Sequence, residues 1–322
     1  MVTVETGARL HFGFQNLSLA HDRLYGGVGV ALDGPCITLA VEPADGIHCE
    51  SPEVRPYLTA AVEALDVSGV AVDVVDRYDR HVGFGSGTQL ALACLVGIAN
   101  AYGLDVEVRK LAPRLGRGGR SGVGVATFEA GGFVVDAGHR SERFTSRLPE
   151  PGEWTVPKPL LQHSLPENWR FVLLTPTDSQ GRAGANEQET MQSVVERADP
   201  TVADEIAAIL TRRLLPAVVE ADLERFARAI ERIGRLNGTW YADEQGGLFR
   251  PPAGTLIEAL RGSSAIYGTG QSSWGPTVYG VTNAENAETA RDAAETALER
   301  AAIEGTVRVV APRNTGASVD VE

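Results

Sequence analysis

One stretch constrains this chain more than any other: His81-Val82-Gly83-Phe84-Gly85-Ser86-Gly87-Thr88-Gln89, running straight into Leu90-Ala91-Leu92-Ala93-Cys94-Leu95-Val96-Gly97-Ile98-Ala99. Glycines at 83, 85 and 87 leave no bulk over the backbone, and Ser86 and Thr88 add hydroxyls, so the amides can converge on one oxygen-rich anion. The apolar run predicts a buried helix. Its first amides and its dipole would add to the same positive site, with Ser86 or Thr88 as the cap. The competing reading is a tight turn into a core helix. Neither common nucleotide fingerprint fits. A Walker loop needs lysine after its last glycine, where Thr88 stands, and no acidic ribose ligand follows a strand-to-helix crossover.

Two more segments are as rich in glycine. Residues 115–126 read LGRGGRSGVGVA, and Arg114, Arg117 and Arg120 make them the densest cationic cluster in the chain. Guanidinium forks match phosphate or carboxylate in two bonds, so this is either an anion site or a solvated basic loop. Residues 265–281, AIYGTGQSSWGPTVYGV, read as strand, hydroxyl-rich turn and strand, with a polar helix and a last strand at 306–310 behind them. That alternation suggests an α/β sandwich for the C-terminal half. Upstream, Arg9-Leu10-His11-Phe12-Gly13 sets a cation and an imidazole beside a glycine, within an opening of strands broken at Gly7 and Gly13. Arg23 precedes a second strand. Residues 131–139, GGFVVDAGH, read as turn, strand and turn and hold Asp136 and His139; the histidine is an acid or base candidate near neutral pH, or a structural group. Asn186, Glu187 and Glu189 lie near a helix start, where carboxylates suit the dipole or a metal.

At 322 residues, 43% of them apolar, the chain can bury two domains or one large two-layer core. A net charge of -13 excludes general binding to nucleic acid or anionic membrane, which needs a basic surface. Lysine occurs only at 110 and 158, which fits a GC-rich coding sequence or a surface hydrated at high salt. Cys36, Cys49 and Cys94 lack metal spacing and are odd in number, as expected of free thiols in a cytoplasmic protein. No window approaches the ~20 apolar residues of a membrane span, and no signal peptide is visible. The proline-rich passage 148–166 is the expected domain junction.

Together the three loops resemble the GHMP superfamily, which includes galactokinase, homoserine kinase and mevalonate kinase. His81 to Ala93 resembles its central phosphate-binding motif, Arg9 to Phe12 its N-terminal motif, and Gly268 to Val281 its C-terminal glycine motif. Within it, GFGSGTQLALA, GRGGRSGVGVATFEAGGFVVDAGH and GTGQSSWGPTVYG are most similar to the β-ribofuranosylaminobenzene 5′-phosphate synthases. The resemblance implies a two-domain α+β fold: a mixed domain over 1–160, a ferredoxin-like domain over 161–322, and a ligand cleft between them. It further implies a magnesium-dependent homodimer that condenses phosphoribosyl diphosphate with 4-hydroxybenzoate or 4-aminobenzoate, an early step of methanopterin biosynthesis. On that reading Arg9, Arg23, Gly83, Gly85, Ser86, Gly87, Thr88, Gln89, Arg117, Gly119, Ser121, Gly122, Gly270, Ser272 and Ser273 bind substrate or phosphate, and Ser86 touches the magnesium. His11 or His139 takes a phenolic proton, Arg120 holds a phosphate or the benzoate carboxylate, and Asp136 or Glu129 stabilises the ribosyl cation. Mevalonate-type kinases carry Ser-Gly-Ile-Asp where this chain has Ser121-Gly122-Val123-Gly124, so their catalytic carboxylate is missing here. An ATP-dependent kinase of the same fold and a non-catalytic metabolite binder are the alternatives.

Overall fold

The computed structural model describes residues 1–144, 150–177 and 185–321. Residues 148, 149 and 184 and the side chains of Asn186 and Glu187 lie outside the described residues. The first half contains β1 (Val2–Asn16), β2 (Arg23–Glu42), β3 (Gly46–His48), α1 (Arg55–Leu65), β4 (Gly69–Asp76), α2 (Ser86–Ala101), α3 (Val108–Leu111), α4 (Val123–Ala130), β5 (Phe133–Asp136), β6 (His139–Arg140) and β7 (Pro159–His163). The second contains β8 (Trp169–Pro176), α5 (Ala185–Arg197), α6 (Pro200–Ile209), α7 (Leu215–Val219), α8 (Leu223–Gln245), α9 (Ala253–Leu260), β9 (Gly268–Gln271), β10 (Val278–Asn283), α10 (Ala287–Ala301), β11 (Gly305–Val310) and β12 (Ser318–Val321).

The first sheet runs β12-β1-β2-β4-β3, with β5 and β6 also pairing with β2 and β7 pairing with β5. Gly7 and Gly13, expected to break the opening strand, instead lie at register shifts within one continuous β1–β2 ladder. The sheet closes on α2, which is buried around nearly its whole girth, as expected of a helix apolar on every face. Gly97 permits this approach, because a Cβ there would stand 2.8 Å from Val41.

The second sheet runs β11-β8-β10-β9, entirely antiparallel. Numbered within this half, the order is 4-1-3-2, the ferredoxin-like arrangement, with α5 to α9 filling the first crossover and α10 the second. One core joins the two sheets. Phe12 of β1 packs against Phe171, Phe226 and Tyr279 with ring centroids 6.4, 6.1 and 5.2 Å away, which ties β1 to the second half of the chain. A second core, with Val172, Leu256, Ile257 and Ala294, lies between this sheet and α9 and α10.

The expected division at 160/161 falls inside β7, which pairs with β5, and the last strand returns to β1. The proline-rich passage is therefore not irregular throughout. Pro159 opens a strand, a position where its missing N–H does little harm.

Candidate functional site

The glycine loop forms the expected cradle, with one change at its rim. Gly85, at φ 75°, occupies the cap of α2 and no side chain caps the helix; Ser86 is the first helical residue, not the cap. Gly83 lies at φ 105°, so both turns of the loop use backbone conformations that other residues rarely adopt. The amides of Ser86 and Gly87 find no acceptor among the described residues. They belong to the orphan donors of a helix start, at the positive end of its dipole.

β1 and the third glycine segment brace the loop from behind. Arg9 Nη1 donates to the Gly83 carbonyl at 2.8 Å, and the Arg9 amide donates to that of Phe84 at 3.0 Å. Ser272 Oγ donates to the same Gly83 carbonyl at 2.7 Å and accepts the His11 amide at 3.2 Å. Ser272 is fully buried, and Gly270 lies against the Tyr279 phenol, where a Cβ would come within 2.4 Å of its oxygen. Both were expected to bind substrate. Their burial makes them supports for the loop instead. The Ser273 amide donates to the His11 carbonyl, and this residue lines a cleft with His11, Phe14, Tyr241, Phe249 and Trp274.

Gln89 also departs from expectation. It is 0% exposed; its carbonyl accepts from Thr6 Oγ1 at 2.7 Å and its amide donates to the Gly124 carbonyl at 2.9 Å. It locks α2 to β1 and α4 and has no path to a ligand.

The arginine loop sends its side chains to different places. The Arg117 guanidinium carbon lies 5.3 Å from the centroid of the Tyr57 ring, and its Nη1 is 3.2 Å from where a Gly87 Cβ would be. Burial pushes its pKa down, and Arg80, which also faces Tyr57, pushes the same way. Arg120 is half-buried and close enough to Tyr25 to favour its phenolate, against the larger effect of burial. A Cβ at Gly119 would meet the Trp154 ring at 3.4 Å, so this glycine sits over the indole.

Between these arginines runs a short polar chain. Asp136, 0% exposed, accepts the amides of Gly27 at 3.0 Å, Gly122 at 2.7 Å and Gly138 at 2.8 Å, and the Ser121 hydroxyl at 2.9 Å. Burial pushes its pKa up while these four donors hold it down. A carboxylate so enclosed cannot meet a ribosyl cation, so Asp136 is a positioning residue and not the cation stabiliser expected. Ser121 Oγ lies 3.4 Å from His11 Nε2. With its own proton on Asp136, this hydroxyl is the acceptor, which puts a proton on Nε2. Burial, helped by Arg9, lowers the His11 pKa to about 3, so the imidazole stays neutral at physiological pH and is too weak a base for the proton transfer expected of it.

Other expected residues lie apart. Arg23 spends its guanidinium on the carbonyls of Ala137 and Gly138. Glu129 pairs with Arg109 at 2.5 Å through Oε2. His139 is partly buried against Tyr25, ring centroids 6.3 Å apart, and its Nε2 has no hydrogen-bond partner; burial lowers its pKa. At position 124 a Cβ would meet the Thr88 methyl at 3.1 Å, so a side chain there would face the loop, and glycine supplies none.

Tyr57 and Arg80 are the site residues that sequence reasoning missed. Tyr57 reads as one more apolar position of α1, while Arg80, immediately before the loop, was the available signal. Among the described residues no group of three or more carboxylates, histidines or cysteines is placed to hold a metal. The Ser86 hydroxyl, at the mouth of the loop, has no hydrogen-bond partner among them and fits one ligand of an ion brought in on a phosphate.

The model of the GHMP kinases N terminal domain matches residues 56–132, which include the loop and the arginine segment. The chain is 32% identical to the beta-ribofuranosylphenol 5′-phosphate synthase of Archaeoglobus fulgidus, over 100% of both chains. It is 31% identical to the protein of that name from Methanothermobacter thermautotrophicus, over 91% of this chain and 92% of the relative. A crystal structure of L. major mevalonate kinase in complex with R-mevalonate shares the fold, with a TM-score of 0.69 over 98% of this chain and 96% of that one, at 13% identity. By full-length sequence and by fold, the chain belongs to the beta-ribofuranosylphenol 5′-phosphate synthase family of the GHMP superfamily.

Proposed function

We propose that this protein transfers the ribosyl 5-phosphate of phosphoribosyl diphosphate to the carboxyl-bearing carbon of 4-hydroxybenzoate, releasing diphosphate and carbon dioxide, as an early step of methanopterin biosynthesis. End-to-end likeness to the synthases carries this reading. The phenol in their name favours the hydroxy acid over the amino acid as acceptor.

The site chemistry supports it. As the C1–diphosphate bond breaks, charge builds on the leaving group and the ribosyl centre becomes cationic, so donors already aimed at the diphosphate lower the barrier most. The amides of Ser86 and Gly87 and the guanidinium of Arg117 are such donors. The ring carbon supplies the electron pair of the new bond. The bond to the carboxylate then gives its pair back to the ring as carbon dioxide leaves, so no proton is gained or lost overall. A site without a strong base therefore suffices, in keeping with the neutral His11 and with glycine at 124. Asp136 acts through Ser121 to hold the loop that carries Arg117 and Arg120. Arg120 takes the aryl carboxylate or the 5-phosphate.

Ser86 would hold a magnesium ion, which would supply further neutralisation of the leaving group's charge. The proposal also includes a homodimer in the cytoplasm, in line with three free cysteines and with no described helix long and apolar enough to cross a membrane. Product analysis by mass spectrometry and NMR tests the reaction. A C-riboside bearing a phenol is expected. A phosphorylated acceptor formed from ATP in the parallel sample would replace this reading with a kinase.

A further inference from the structure

Two arginines converge on Tyr57 beside the start of α2. The Arg80 and Arg117 guanidinium carbons lie 5.6 and 5.3 Å from the centroid of its ring, within the range of cation–π attraction. The Nε of each is buried without a hydrogen-bond partner. No carboxylate of the described residues pairs with either. Arg109, Arg261 and Arg313, also part-buried, each have one: Glu129, Glu231 and Glu5 respectively. Two like charges held together, half out of water and uncompensated, cost stability unless an anion joins them.

Gly87 places this pair at the helix start. A Cβ there would meet Arg117 Nη1 at 3.2 Å and the Tyr57 hydroxyl at 3.4 Å, so glycine lets both approach the first turn of α2. The amides of Ser86 and Gly87 and Arg117 Nη1 therefore lie together at this helix start, where one phosphoryl group can take both, and Arg80, on the same Tyr57 ring, is available to a second.

We propose that Arg80, Tyr57 and Arg117 form a clamp for a diphosphate group, with one phosphoryl on the α2 amides and Arg117 and the other on Arg80. Tyr57 holds the two guanidiniums in place in the absence of a ligand. The clamp rests on the transferase reading only in taking a ribosyl diphosphate as the bearer of that group.

The test is calorimetric titration of the full chain with inorganic pyrophosphate and, separately, inorganic phosphate. Wild type is compared with Arg80→Gln and Arg80→Lys, and ligand-free thermal unfolding checks that each variant is folded. Wild type should prefer pyrophosphate. Arg80→Gln should weaken pyrophosphate about tenfold or more, the scale of one charge-assisted pair, and leave phosphate nearly unchanged, with Arg80→Lys in between. Pyrophosphate binding that is equal in wild type and Arg80→Gln, or absent from wild type, overturns the clamp. Carbon dioxide release is read on the same samples. Selective pyrophosphate binding without any release supports the clamp and defeats the transferase reading, whereas release with pyrophosphate binding insensitive to Arg80 does the opposite.

Discussion

Replacing Asp136 separates a positioning role from a catalytic one. Its carboxylate is 0% exposed and receives four donors at 2.7 to 3.0 Å, three on Oδ2 and one on Oδ1. Stranding a buried donor costs roughly 1–3 kcal/mol, so Asp136→Ala, which strands four, should cost at least about 4 kcal/mol, a large part of the 5–15 kcal/mol typical of a domain. Asp136→Asn can keep its oxygen on the three donors to Oδ2, but its NH₂ then faces the Gly138 amide. One lost bond and one donor set against another should cost about 2–4 kcal/mol. Urea unfolding followed by circular dichroism measures both, and diphosphate release is assayed at a temperature where each variant is folded. The expected outcome is a stability loss in both variants, with the Asn enzyme within about tenfold of wild type in kcat, because the loop it positions still forms. If Asp136 met the ribosyl cation itself, Asn would leave stability intact and abolish turnover. Unchanged unfolding with kcat down a hundredfold would refute the positioning role.

The pKa of His11, lowered from 6.5 to about 3, has a definite sign for stability. The unfolded chain takes up this proton below pH 6.5 and the folded chain refuses it until about 3, so stability present above 6.5 falls by about 1.4 kcal/mol per pH unit on acidification; His11→Gln should flatten that slope between pH 6.5 and 4.5, and an identical slope would contradict the burial argument. Gly83→Ala adds a Cβ 2.6 Å from the Ser272 carbonyl at φ 105°, so thermal unfolding should show a loss of at least about 2 kcal/mol and phosphate binding should fail; a stable variant that still binds phosphate would mean the brace gives way. Gln89→Leu should destabilise by about 1–3 kcal/mol while leaving KM for phosphoribosyl diphosphate unchanged in steady-state assays. Arg120→Ala should raise KM for one anionic substrate about tenfold or more, and unchanged kinetics would remove Arg120 from the site.

The loop was legible because its chemistry is local. Glycines at 83, 85 and 87 followed by ten apolar or small residues leave few structures open, and both cradle and buried helix are found. What the sequence hid depends on contacts across long separations. Gln89 looks like a polar residue at a helix start, and only the fold brings Thr6 and Gly124 around it. Ser272 looks like a hydroxyl in a ligand turn, yet it meets Gly83, 189 positions away, from behind. Gly7 and Gly13 look like strand breaks because a register shift and a turn use the same residue; the pairing partner decides between them. Tyr57 was hidden for another reason. An aromatic ring on a helical apolar stripe carries no mark of the two guanidiniums it will hold.

The most direct test is the stoichiometry of the reaction. Purified protein is incubated with magnesium, phosphoribosyl diphosphate and carboxyl-labelled 4-hydroxybenzoate, and labelled carbon dioxide and diphosphate are counted together, with ATP in a parallel sample. One carbon dioxide for each diphosphate, only when phosphoribosyl diphosphate is present, is the expected result. Diphosphate without labelled carbon dioxide, or turnover that requires ATP, would contradict a decarboxylating ribosyl transfer at this loop.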